Sequence, residues 1–462
     1  MSATSRAERL LALLTPAVAM TAVAVGLRLG ARGELRAAVV YGAPAATGAS
    51  WLAWQVVVFD EDQGMRQPVA ALPVEVVAHA GNTAGASAVW KGVTNVDGVA
   101  EALLALPRST GMELEVRSGS AVLALGDARP EAVRPLAAPQ AGWLRFARRE
   151  GPIALDVAAL GQRVAPGFPA ELWVRATDAT THAPLRDVSV AMESDTSLSI
   201  GPAATVGRTD SRGWVRIVVT PVGLAVTVTL RARAPDARAG AWIGGLYMSP
   251  GAPRLDVATR IAPDAPIALE VTMPAARSTA YLEIDDAAGR AWAATPPLNV
   301  GPDGSPGARV QVPGLAPGLY WAVASADPAG AAALGAGTIT RPFFVASSDD
   351  AALSLGMDRE ACASPRDPRE TGDAVSSCLA LSSIASVPRW VALDGFAMQR
   401  ALDREARARG LAVAVGALAI ASVLEGMLLV RAAAKSRTRT VAVAVLVALL
   451  GFALLAAFIV RV

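Results

Sequence analysis

Two histidines are the whole imidazole complement of this 462-residue chain. An acid/base pair or a shared metal would need both at one site. His79 follows the apolar run Val74–Ala78, and His182 sits in a turn before Pro184. These are near corresponding points of two different repeats, described below, so each reads as a surface or turn histidine. Cys362 and Cys378 are sixteen positions apart. In an oxidising compartment they would pair and close a loop holding Pro365, Pro368 and Gly372; elsewhere they would be two buried thiols. A bridge over that length contributes about 3 kcal/mol in the chain-entropy model. Asp60-Glu61-Asp62 could offer oxygens to Ca²⁺, but the spacing is not that of an EF-hand and the second repeat has only Asp178 there. Both this run and Asp285-Asp286 read as ordinary solvated turns.

Glu425 is the one ionisable residue inside an apolar run of membrane-spanning length, where a charge suggests function. It also lies six residues before Arg431, about 9 Å of helix rise, within reach of an interface or a loop arginine. No Gly-x-Ser-x-Gly elbow, His-Glu-x-x-His or phosphate-cradling Gly-Lys-Ser/Thr occurs. Lys91 and Lys435 are the only lysines, which leaves little material for lysine chemistry. With two Cys and two His, zinc fingers, haem attachment and iron–sulfur clusters are set aside. A net charge of +2, from 42 basic and 40 acidic residues, argues against nucleic-acid binding by bulk charge. The reading is of a non-enzyme with no catalytic residue, no cofactor and no metal.

The elements that must position these residues begin with the apolar runs. Leu10–Leu27 is uncharged between Arg9 and Arg28; Gly410–Val430 and Thr440–Val460 are each 21 residues long between arginines. About 20 residues of helix cross a bilayer, so the last two read as a transmembrane hairpin. The first reads as an uncleaved anchor or a signal peptide, since small residues at Ala17-Val18-Ala19 and Ala22-Val23-Ala24 suit a peptidase. Arg431, Lys435, Arg437 and Arg439 mark the hairpin loop as cytoplasmic, which places residues 31–408 outside the cytoplasm. Arg28, Arg32 and Arg36 oppose that orientation; the tighter C-terminal loop carries the stronger bias.

Between the apolar runs, residues 31–348 read as β: short apolar and β-branched runs punctuated by Gly, Pro, Asn and Asp. Two stretches share a pattern. The first runs Trp54…Asp60, Pro68…Leu72-Pro-Val74, then Thr94-Asn95-x-x-Gly98. The second runs Trp173…Asp178, Pro184…Val188-Ser-Val190, then Thr209-Asp210-x-x-Gly213. Such agreement indicates a duplicated domain. In Thr-Asx-x-x-Gly the short polar side chain accepts bonds from the turn backbone and Gly supplies a positive φ. A third unit, Ile267–Val345, includes Pro317-Gly318-Leu319-Tyr320, in which Tyr320 buries its ring and keeps its hydroxyl wet. Most of the ten Trp read as sandwich-core anchors, with a carbohydrate-stacking face as the alternative.

On these residues, about 50–345 resembles macroglobulin-type β-sandwich domains, and is similar to carboxypeptidase-regulatory-like and bacterial immunoglobulin-like sandwiches. The resemblance implies a fold and a binding or scaffold role. It does not imply covalent protease trapping, because Cys362 is followed by Ala-Ser-Pro and Cys378 by Leu-Ala-Leu rather than a Cys-x-Glu-Gln thioester.

The expected fold is therefore mainly β: tandem antiparallel immunoglobulin-like β-sandwich domains with one N-terminal and two C-terminal transmembrane helices. The expected order is an anchor or signal peptide (1–30), sandwiches at 45–130, 150–258 and 264–346, and a loop with the possible disulfide (347–386). An amphipathic helix (388–409), a span (410–430), a cytoplasmic loop (431–439) and a span (440–460) follow. The expected function is a bacterial inner-membrane protein presenting its sandwiches outside the cytoplasm to an envelope protein or polymer. The alternative is an accessory subunit of a membrane complex for transport, secretion or envelope biogenesis, assembled through partner helices on the C-terminal hairpin.

Overall fold

The computed structural model describes residues 35–433, together with 20–21 and 24–25, except for 43–44, 47–51, 63–64, 81–86, 106–111, 129–147, 162, 195–197, 201–205, 224–225, 247, 275–276, 303, 327–336, 358–361, 364–367 and 382–389. The chain divides into two compact units. One comprises Met1–Ala37, Asp60–Gln67 and Asp394–Val462; the other comprises Ala38–Phe59 and Pro68–Leu393.

The larger unit is built from sheet pairs. In the third sandwich one sheet runs Arg254–Asp256, Ile267–Thr272, Pro306–Val312, Asn299–Val300. It faces a sheet ordered Arg260–Ile261, Thr338–Val345, Gly318–Ser325, Tyr281–Asp285, Arg290–Ala294. This is the A-B-E-D over G-F-C-C′ order of an immunoglobulin sandwich. The second sandwich keeps the A-B-E over G-F-C part with Ile153–Ala159, Ala170–Asp178 and Trp214–Pro221 over Ala239–Leu246, Val226–Arg233 and Ser189–Ser194; Leu198–Ile200 and then Val206–Arg208 edge the two sheets, and Arg148–Glu150 adds to Ala239–Leu246. The first has Leu35–Gly42, Leu52–Asp62 and Val99–Leu104 over Ala121–Ala128, Met112–Ser118, Pro73–Ala80 and Ser87–Val93. The third unit is thus a further copy of the duplicated topology. The strand Leu35–Gly42 lies ahead of the expected start at 45, because four consecutive buried residues mask its alternation.

Alternation places the cores. Val226–Arg233 is buried at every second residue, as a sheet with one wet face requires. Leu155, Leu172, Val190 and Trp242 anchor the second core, Leu269, Leu282, Trp292 and Phe343 the third, and Trp54, Val76 and Leu114 the first. Tyr281–Asp285 is buried at every residue, so its outer face is covered as well.

After the third sandwich, residues expected to form a loop carry two helices, Asp349–Ser354 and Thr371–Leu381. The expected helix over 388–409 is interrupted: Trp390–Asp394 is a strand in the sheet of Leu35–Gly42 and Leu52–Asp62. The helix begins at Gly395 because the Asp394 carboxylate accepts from Phe396 N (3.0 Å) and Ala397 N (3.3 Å), a cap that ends the strand.

In the smaller unit the helix Gly395–Ala433 has 39 residues. Its buried positions include Phe396, Asp403, Gly410, Ala414 and Ala421, whereas Leu402, assigned by sequence to the apolar stripe, is 43% exposed. With the strand in place of a first helical turn, the buried seam is set by Phe396 and follows steps of seven and four. Among the described residues no helix is long and apolar enough to cross a membrane. The runs Leu10–Leu27, except 20–21 and 24–25, and Thr440–Val460, and the loop 431–439 beyond Ala433, lie outside the described residues.

Candidate functional site

The two Thr-Asx-x-x-Gly turns match bond for bond. Thr94 Oγ1 donates to Val69 O (2.6 Å) and accepts from Leu72 N (3.0 Å). Thr209 Oγ1 donates to Leu185 O (2.6 Å) and accepts from Val188 N (2.9 Å). Asn95 Oδ1 accepts from Asp97 N (2.9 Å) and Val99 N (3.0 Å), and Asp210 Oδ1 from Arg212 N (2.9 Å) and Trp214 N (2.7 Å). Gly98 and Gly213 have φ of 72° and 82°. A Cβ at either would stand 2.5 Å from a carbonyl oxygen, of Val58 and Ala176 respectively. The third sandwich keeps the backbone of this turn without its side chains: Gly301 N donates to Ser305 O (2.8 Å), Gly304 N to Gly301 O (3.0 Å), and Gly304 has φ of 81°.

Each of the first two turns grips another part of the larger unit. Asn95 Nδ2 donates to Tyr281 Oη (3.1 Å), and that hydroxyl donates to Asp97 Oδ2 (2.6 Å). Burial, and then the bond to Asp97, push the Tyr281 hydroxyl's pKa upward, which keeps it a donor. In the second repeat Ser211 Oγ donates to Glu370 Oε2, Ser211 N donates to Glu370 Oε1 (3.3 Å), and Arg212 Nη2 donates to Ser377 Oγ (3.1 Å). One turn type therefore docks the first sandwich on the third and the second sandwich on the C-terminal helices.

Beside the first turn lies a buried charge cluster. Arg290 Nη2 is 3.0 Å from Glu101 Oε2 and 3.2 Å from Glu283 Oε1, with all three side chains at most 4% exposed. Gln55 Nε2 donates to Glu101 Oε1 (2.9 Å), and Ala46 N donates to Arg290 O (3.0 Å). Gln55 and Glu101 alternate with the core residues Trp54, Val56 and Ala102, so they project from the outer face of the first sandwich. Asp285 pairs in register with Arg290 and Trp321 on the outer face of the third. Desolvation, offset in part by Arg290 and reinforced by Asp286, raises the Asp285 pKa to about 7.

Cys362 and Cys378 form a disulfide with Cα atoms 4.6 Å apart. It sits in a cluster with Trp173, Trp214, Phe344 and Leu379. Trp173 and Trp214 meet edge-on, with centroids 6.5 Å apart. These two Trp anchor a junction and not a sandwich core. The sequence pairing of Trp54 with Trp173 is off by one: Val58 N and Ala176 N make the equivalent bonds to Gly98 O and Gly213 O. Trp173 then corresponds to Gln55, and a one-residue shift changes the face of the sheet.

The remaining candidates are dispersed. His79 is exposed on the strand Pro73–Ala80, opposite Ser87 and Glu113. His182 occupies an exposed turn at φ 59°. The acidic run is not a free turn. Asp60 holds Arg36 at 2.7 and 2.8 Å, and Glu61 is 3.1 Å from Arg66 and 3.0 Å from Arg400. The Glu61 carboxyl is held below its ordinary range by hydrogen bonds from Arg400 and then Arg66. Both guanidiniums also stand over the buried Phe396 ring, at 4.2 and 6.0 Å. Asp286 accepts from Ala288 N and Gly289 N, both at 2.7 Å, and both it and Asp285 are buried, not solvated. The Tyr320 hydroxyl is not wet; it donates to Ala316 O (2.9 Å) in the manner of a tyrosine corner. Glu425 belongs to the helix Gly395–Ala433, and its side chain lies outside the described residues. Among the described residues no group of three or more His, Cys, Asp or Glu could hold a metal ion.

No protein-family model matches the chain. No curated protein sequence matches it. Among solved structures, native E. coli alpha-2-macroglobulin overlaps 69% of this chain and 23% of its own, at 10% identity and a TM-score of 0.19. Invasin, a bacterial integrin-binding protein, overlaps 67% of this chain and 60% of its own, at 15% identity and a TM-score of 0.18. The Yersinia pseudotuberculosis adhesin InvE overlaps 43% and 55%, at 19% identity and a TM-score of 0.18. The chain thus covers less than two thirds of each of the three. Scores this low establish no shared arrangement, and the immunoglobulin-like architecture stands on the strand orders above.

Proposed function

We propose that this chain is a non-catalytic, membrane-anchored protein of a bacterial envelope whose linked immunoglobulin-like sandwiches serve as a binding or scaffolding body outside the cytoplasm. The observation that carries the reading is the helix Gly395–Ala433, on which Leu411, Val413, Val415, Ile420, Val423 and Met427 are each at least 38% exposed. Contiguous exposed apolar surface on a soluble body is costly, and a bilayer or partner helices would remove it from water. The sequence places this stretch in the uncharged-but-for-Glu425 run Gly410–Val430, ahead of the basic loop. On this reading, docking of the sandwiches on one another fixes which loops and edges are presented. The same exposed apolar residues support a second reading, an accessory subunit whose helix packs on partner helices, because such packing also removes them from water.

The test is cysteine labelling in intact cells or spheroplasts with an impermeant maleimide. Val300→Cys should label from outside and Lys435→Cys should label only after lysis. External labelling at 435 overturns the topology. Under the subunit reading, Glu425→Leu should reduce recovery of partners in detergent; undiminished recovery counts against it.

A further inference from the structure

Glu101 of the first sandwich and Glu283 of the third meet at Arg290, and beside that contact lie Asp285, in register with Arg290 and on the same face of its strand as Glu283, and Asp286; all four are at most 8% exposed. Arg290 is the cation in contact with two of them. Asp285 Oδ1 has no hydrogen-bond partner. A buried carboxylate without a partner is expensive, and the usual remedy is a proton. We propose that this contact is a proton-operated latch, in which Asp285 takes up a proton when the first sandwich docks on the third.

The groups around Asp285 come from several elements. Glu283 and Tyr281 are on its own strand, Asp286 is in the following turn, and Arg290 is on the neighbouring strand Arg290–Ala294. The strand Gly318–Ser325 places the indole of Trp321 opposite it. The first sandwich contributes Glu101, the neutral Gln55, and Asp97 with Asn95. Glu101 and Glu283 are paired with Arg290, Asp286 accepts from the amides of Ala288 and Gly289, and Asp97 accepts from Tyr281, so the site left to absorb a proton is Asp285.

The sign follows from linkage. Asp285 has a raised pKa, about 7, when docked, and an ordinary carboxyl pKa when the contact opens to water. The docked state then binds the extra proton. Docking is strongest in acid, weakens about tenfold per pH unit as pH rises above the ordinary carboxyl range, and levels off above about 7. The latch does not depend on membrane anchoring.

The test uses the full-length chain and amide hydrogen exchange, corrected for intrinsic rate, at pH 5, 6, 7 and 8. Protection of Val99–Leu104 and Tyr281–Asp285 should fall about tenfold per unit from pH 5 to 7 and then flatten. Protection of Ile153–Ala159, in the second core, should stay constant as a reference. Asp285→Asn should be protected at all four values. If that variant does not fold, Asp286→Asn provides the second arm: removing a neighbouring negative charge should move the fall to lower pH. Protection in the parent chain that is flat from pH 5 to 8 overturns the latch. So does an undiminished pH dependence in Asp285→Asn, or a fall that does not move in Asp286→Asn.

Discussion

Gly98 and Gly213 occupy left-handed backbone in the two docking turns, and a Cβ on either would press on a carbonyl oxygen at 2.5 Å. Gly304, at the matching point of the third sandwich, has the same sign of φ but open space around it. Two costs therefore separate. Gly304→Ala bears only the backbone cost, about 1 kcal/mol, whereas Gly98→Ala and Gly213→Ala add the collision and should lose about 2–4 kcal/mol. Exchange of the Val69 and Leu185 amides, which close the two turns onto Val58 O and Ala176 O, reports the difference. Equal losses of protection at Leu185 N in Gly213→Ala and at Gly301 N, which closes the third turn onto Ser305 O, in Gly304→Ala would show that the carbonyl yields. The motif was readable in the sequence because its chemistry is local: Thr, Asx and Gly each serve a bond within a few residues or across one hairpin. The third copy was not readable, since Val300 and Gly301 replace Thr and Asx while the backbone bonds persist. Nor did any pattern announce the roles of Arg290 and Tyr281, whose partners in the first sandwich lie 184 to 189 positions away, or the burial of Asp285, which reads as a solvated turn.

Strands were legible wherever one face is wet, because burial at every second residue writes itself into the sequence. Legibility fails where consecutive residues are buried and mask the alternation, as in Leu35–Gly42, and where a short apolar stretch suits either period. Trp390–Asp394 is such a stretch: it fits a helical stripe, and it is a strand because it pairs beside Leu35–Gly42 before the Asp394 cap starts the helix. The disulfide was anticipated from its cysteines, but the helix Thr371–Leu381 that carries Cys378 was not. Here the element-scale question is whether the bridge or the Trp173–Trp214 contact holds Thr371–Leu381 in place. The bridged segment is 16 positions long, so reduction should remove about 3 kcal/mol of constraint in the chain-entropy model. In Cys362→Ser/Cys378→Ser, protection of Thr371–Leu381 should drop by about two orders of magnitude, and the Ser211 amide, bonded to Glu370, should exchange faster with it. The first core should not change. Undiminished protection would assign the docking to aromatic packing alone.

Across the larger unit, the first two sandwiches use the same outer surface for opposite chemistries. In the first, Glu101, which accepts from Gln55, meets Arg290; in the second, Trp173 and Trp214 meet Leu379 and the disulfide. Apolar contact is tolerant of small shifts, whereas a buried arginine between two glutamates fixes register and partner and gains little net stability. That distinction predicts a non-additive cycle. Arg290→Met leaves Glu101 and Glu283 buried without their cation and should cost about 3–5 kcal/mol. Adding Glu101→Gln and Glu283→Gln to Arg290→Met removes the stranded charges, and the triple variant should recover to within about 1–2 kcal/mol of the parent. The readout is the denaturant dependence of exchange in Val99–Leu104 and Arg290–Ala294, since a chain of several domains has no single unfolding free energy. A triple variant as unstable as Arg290→Met would make the cluster a source of stability. Recovery of stability with faster, less selective docking of the two sandwiches would make it the element that specifies how they meet.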